Sequence, residues 1–154
     1  MNTTHHQQVL ASLNAAAQKA RVFASITLDG SRLECEALDA GAPAQYRVEI
    51  ASDGWAISLG TMDRWLSESI EAQLVDSRDS MEALLSEELN DLEWTDAPPK
   101  IRHFRDDARR YVFECTVAFG RDESDDLRRT SCFLLAFQAM FLQLGNMSGE
   151  QSEE

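Results

Sequence analysis

Basic residues are scarce in this chain. Fourteen Lys and Arg stand against 27 Asp and Glu, a formal net charge of −13 over 154 residues. Phosphate binding draws on clustered cations that release counterions, so the charge argues against a nucleic-acid partner. An anionic membrane surface is disfavoured for the same reason. Long apolar runs are also missing: no stretch reaches the ~18 residues of a membrane span. The N-terminal MNTTHHQQVL lacks the basic start and apolar segment of a signal peptide, so a cytoplasmic location is expected. Cysteine is confined to Cys35, Cys115 and Cys132. They are odd in number, widely spaced and form no CxxC, which points to reduced, mostly buried thiols rather than a disulfide framework. No internal repeat and no catalytic signature is visible. Neither an enzyme nor a cofactor is therefore expected.

What is present is a globular composition, 44% apolar, at the length of one domain. The expected domain covers 1–145, with a disordered acidic tail over 146–154. Its densest apolar stretch is Ser124 to Gly145. There Leu127, Phe133, Leu134, Phe137, Met140, Phe141 and Leu144 recur at helical spacing. Ser124 or Asp122 is suited to cap its start, and Gly145 to end it in a left-handed conformation. At ~1.5 Å per residue such a helix is about 30 Å long, enough to cross a small sheet. Any apolar surface in excess of that would be an interface.

Before it, residues 1–5 look frayed. His6 to Ala20 carries Val9, Leu10, Leu13, Ala16 and Ala17 on one face of an amphipathic helix. The period then changes to two. Val22, Ala24, Ile26 and Leu28 alternate up to Asp29-Gly30, a type I′ hairpin signal. Leu33, Cys35 and Ala37 alternate on the return strand, followed by Tyr46, Val48 and Ile50. After Asp53-Gly54, a second hairpin signal, come Trp55, Ile57 and Leu59. This is a four-stranded antiparallel meander, with a polar opposite face at Arg47, Glu49 and Ser58. Residues 61–75 fit a helix capped by Thr61, but also a long strand. Asp79 and Glu82 look like a capping box for the next helix, with Met81, Leu84, Leu85, Leu89 and Leu92 as its buried stripe. After Ala97-Pro98-Pro99 come a short strand, Ile101 to Phe104, and a long central one, Arg110 to Phe119. The expected fold is α+β: an antiparallel sheet of five to six strands with flanking helices, in the order helix, strands, helix, two strands, helix.

Few constellations rise above their plain structural readings. His5, His6 and His103 do not show metal-ligand spacing, so no metal site is expected. Cys115 and Cys132 lie in apolar runs, where a thiol is inert whatever His103 does as a base. Residues 63–98 hold eleven acids against Arg64 and Arg78, a local charge of −9 whose simpler reading is a solvated face, with steering of a basic partner the alternative. Lys100, Arg102, Arg105, Arg109 and Arg110 form the one basic cluster. Pairing with the acidic helix is its simpler reading, and an anion site using Arg102 and Arg105 the alternative. Trp94, between acids and before the prolines, is expected to be partly exposed.

The order of elements, the small acidic chain and the amphipathic C-terminal helix resemble the class I type III secretion chaperones and the YbjN-like proteins that share their fold. The nearest local match runs from Met81-Glu82-Ala83-Leu84-Leu85 through Glu88-Leu89-Asn90, which looks like that family's middle helix. The strands over 101–119 and the helix over 124–144 match its second half. The chain departs from the pattern with four strands before the middle helix and an added element over 61–75. The resemblance implies a homodimer that presents apolar patches to an extended partner segment, without catalysis. The expected function is accordingly a dimeric, chaperone-like or regulatory protein-interaction module. Phe133, Phe137, Met140 and Phe141 are its candidates for self-association, and Trp55, Trp65 and Leu66 for partner contact.

Overall fold

The computed structural model describes residues 3–94 and 96–148. Its elements are α1 (Thr3–Ala20), β1 (Phe23–Asp29), β2 (Arg32–Ala37), β3 (Ala44–Ile50), β4 (Gly54–Thr61), α2 (Arg64–Ser77), α3 (Met81–Asp91), β5 (Arg102–Arg105), β6 (Tyr111–Ala118) and α4 (Glu123–Leu142), with a closing 3-10 turn at Gly145–Ser148. Among the described residues the six strands form one antiparallel sheet, ordered β1-β2-β3-β4-β6-β5. The chain is thus α+β. β6 lies between β4 and β5 and buries one face, through Phe113, Cys115 and Val117, while β1 and β5 are the two edges.

Alternation decides which sheet face is covered. Leu33, Cys35, Tyr46, Val48, Trp55, Ile57, Leu59, Phe113, Cys115 and Val117 are all buried in the core shared with the helices. The other face carries polar cross-strand pairs, among them Arg47 Nε donating to Glu34 at 2.8 Å. α4 lies on the covered face and also packs against α1 and α3. α2 instead packs mainly on the closing 3-10 turn.

Local chemistry departs from the sequence reading at several points. The first hairpin has a two-residue loop, Gly30-Ser31, between the paired Asp29 and Arg32. Only Gly30 has positive φ, +60°, so it follows the II′ pattern rather than I′. A bulge between Phe23 and Ser25 then changes the inward face of β1: Phe23 and Ile26 pack on the core, while Leu28 is exposed. Gly54 serves close approach instead of a left-handed turn, because a Cβ there would come within 2.3 Å of the Val117 carbonyl oxygen.

Residues 64–77 are helix. Thr61 is the last residue of β4, and Asp63 is the cap, its carboxylate accepting from the Leu66 N–H at 2.8 Å. Ser80, not Asp79, caps α3 by accepting from the Ala83 N–H at 3.0 Å. That places Glu82 one position too early for a capping box. Its carboxylate instead accepts the Ile101 N–H at 2.8 Å, tying α3 to the chain entering β5. Asp122 caps α4. Trp94 is buried, edge-on to Phe133 at 5.3 Å and with Arg128 4.6 Å from its ring centre. The ordered chain runs past 145: Met147 is buried, and the Asn146 N–H reaches Ser69 Oγ at 3.0 Å. The rest of the expected tail, 149–154, lies outside the described residues. No helix among the described residues is long and apolar enough to cross a membrane.

Candidate functional site

The residues proposed from sequence for association divide by burial. Phe133, Phe137, Met140 and Phe141 are all 2% exposed or less, spent on the core of the single chain. They offer no surface for self-association, because α4 packs them against the sheet and against α1 and α3. Trp55 and Leu66 are buried for the same kind of reason and leave the partner-contact set. Trp65 stays, at 76% exposure.

Around Trp65 the structure adds residues that the periodicity did not single out. α2 buries only Leu66, Ser67 and Ile70, a narrow stripe. Trp65, Ala72 and Val75 fall at i, i+7 and i+10, on one exposed side of the helix. Val75 is 74% exposed, and Met62, just before the helix, is 64% exposed. Val75 also borders an open groove of about 320 Å³, with Leu74, Met81, Ile101 and Phe113 as apolar lining and Glu71 and Glu82 as acids. The groove runs between α2, α3 and the edge strand β5. His103 stands in its wall, stacked on Phe113 at 3.9 Å, with Nε2 bonded to Glu71 and Nδ1 3.0 Å from the Val112 carbonyl.

The basic cluster does not converge on an anion. Arg102 and Arg105 are three residues apart on β5 and so point to opposite faces. Arg102 pairs with Glu114 and lies 4.8 Å from the Phe104 ring centre, and Arg105 lies 4.9 Å from that of Tyr111. Arg110 is buried over Gly60 and pairs with Asp106 at 3.3 Å. These arginines are thus engaged within the β5–β6 hairpin and its sheet, not by α3.

A second constellation was not legible as one. α1 begins at Thr3, so His5 and His6 belong to a helix rather than a frayed end. They meet Asp126 in the first turn of α4. The Asp126 carboxylate is fully buried. One oxygen accepts from the Trp55 indole N–H at 3.0 Å and the Gly120 N–H at 2.6 Å, and the other lies 3.0 Å from His5 Nε2. Burial pushes this carboxyl up, but the bonds from Trp55, Gly120 and His5 outweigh it and hold it below its ordinary value. His6 is 5% exposed, stacked on Phe119 at 4.2 Å and edge-on to Trp55 at 5.2 Å. Burial lowers its pKa, and the neighbouring His5 adds to that. Its Nε2 is buried with no hydrogen-bond partner. The thiols meet the sequence expectation: burial pushes Cys35 up to about 12 and Cys115 higher still.

No protein-family model, curated protein or solved structure matches this chain.

Proposed function

We propose that this chain is a non-enzymatic protein-interaction module that holds an extended apolar segment of a partner protein. The observation that carries the reading is the exposed stripe Trp65–Ala72–Val75 leading into the apolar groove between α2 and β5. A helix that packs one narrow stripe on its own domain and shows a second apolar stripe to solvent has surface left for a partner. β5 adds an edge whose outer backbone groups are unpaired by any other strand among the described residues, the arrangement that a partner strand extends. Glu68, Glu71, Asp76 and Glu82 surround the stripe and groove, so the matching segment alternates apolar residues with Lys or Arg. This is the kind of role that the secretion-chaperone resemblance implies, with Trp65 alone kept from the three partner-contact residues expected from sequence.

Trp55 and Trp94 are buried, so acrylamide quenching of tryptophan emission reports chiefly on Trp65. Peptides selected by phage display on the immobilised chain should carry the apolar–basic pattern and shield Trp65 from the quencher. Val75→Asp should abolish their binding while leaving the melting temperature unchanged. Peptides that bind Val75→Asp and Trp65→Ala as tightly as the parent would sink the assignment. So would a dimer in light scattering that Val75→Asp dissociates, because the stripe would then be occupied by a second copy.

A further inference from the structure

We propose that His5, His6 and Asp126 form a binding site for a zinc-class divalent ion that clamps the start of α1 to the start of α4. One ring nitrogen of each histidine and one Asp126 oxygen all lie within 4.8 Å of one another. A tetrahedral ion with bonds of about 2.1 Å needs its ligands roughly 3.4 Å apart. His5 Nε2 and Asp126 Oδ2, at 3.0 Å, already stand close to such an edge. The ion would take the place of the proton now shared between them. Asp126 Oδ1 keeps its bonds to Trp55 and Gly120, which fix the carboxylate as outer partners fix a metal ligand.

The decisive feature is His6. Its Nε2 is buried without a protein partner, a costly arrangement that a bound ion would make useful. Two imidazoles and one carboxylate suit Zn²⁺ or Co²⁺. Mg²⁺ and Ca²⁺ prefer all-oxygen shells. Three protein ligands leave a fourth position for water, while Glu123, its Oε2 3.8 Å from His5 Nδ1, stands at the ring's other nitrogen as an outer partner. The site joins residues 121 positions apart, so occupancy would couple the start of α1 to the start of α4.

The test uses the untagged full chain, stripped with chelator and titrated with ZnCl₂ by calorimetry and with CoCl₂ by visible absorption. The expected result is one ion per chain, a Co²⁺ ligand-field band and a rise in melting temperature with zinc. His6→Phe fits between Phe119 and Trp55, so the metal-free variant should melt no lower than the parent, while affinity drops more than about 100-fold. His5→Gln should lose affinity likewise, and His103→Gln should keep it. Absence of binding in the parent, or parent-like affinity in a folded His6→Phe or His5→Gln, overturns the site. So does loss of binding in His103→Gln.

Discussion

α4 and α2 are both amphipathic helices with aromatic residues, yet they spend those residues in opposite ways. α4 buries Phe133, Phe137, Met140 and Phe141 against the sheet and neighbouring helices. α2 leaves Trp65 and Val75 in solvent. Two of the tryptophans, ten residues apart, show the same division: Trp55 on β4 is fully buried and Trp65 on α2 is 76% exposed. Helical spacing tells which residues share a face. What that face meets depends on where the helix is laid, and α4 is laid over the sheet, whereas α2 lies beside it on a 3-10 turn. Apolar density therefore marks the core here, and the sparser helix carries the candidate surface.

The contrast breaks most readily through α4. Phe137→Ala should cost about 3–5 kcal/mol, the range for emptying a buried aromatic site, read as a fall in the urea midpoint. A loss below about 1 kcal/mol would mean that α4 is not the packed element described. Asp126→Ala comes next. It strands the buried Trp55 indole N–H, which should cost about 1–3 kcal/mol and shift Trp55 emission. Native emission with native stability would remove Asp126 from its central place.

A smaller effect follows from titration of the same covered face. Burial raises Cys35 from 9.0 to about 12, and raises Cys115 and Tyr46 beyond that. Above pH 9.0 the unfolded chain releases thiol protons that the folded chain retains. Stability should then fall as pH rises from about 9 toward 12, and these three groups should have no effect on it near neutrality. Urea midpoints across this range check the sign. A midpoint that holds steady to about pH 11 in the parent would show that the thiols are not as buried as they look.

Much of the architecture was legible before any coordinates. Tyr46-Val48-Ile50 and Trp55-Ile57-Leu59 named the covered face because a strand's period is two and one face of the meander is polar. The inward face of β6 was equally legible in Phe113, Cys115 and Val117, but its other face is not apolar, since Glu114 and Thr116 lie there. Other features were not legible, for identifiable reasons. Gly30 announced a turn, but not that it would open the loop with Ser31 after it at negative φ. The bulge after Phe23 depends on pairing with β2, which no local pattern records. Thr61 was a plausible cap until β4 ran through it. Asp126 was hardest: among the acids of the first turn of α4 it looks like a dipole complement, and its partners Trp55 and His5 lie 71 and 121 residues away. The exposed stripe of α2 carried a signal in Trp65 and Val75 at i and i+10, but spacing alone does not tell a solvent-facing stripe from a core-facing one.

The smallest expected effect sharpens the comparison furthest. Trp65→Ala removes a large aromatic side chain, but one that is mostly in water, so stability should change by no more than about 0.5 kcal/mol. The same truncation at Trp55 would empty a packed site and remove one of the hydrogen bonds to the buried Asp126 carboxylate. Near-neutrality at position 65 thus separates two readings of an exposed tryptophan. If it were an anchor for α2, folding into its own domain, Trp65→Ala would loosen the helix and lower the urea midpoint. If it is surface kept for a partner, the midpoint holds and only association suffers. A stability-neutral, binding-defective Trp65→Ala is the outcome that an interaction surface requires, because the cost of exposing Trp65 is then recovered only in the complex.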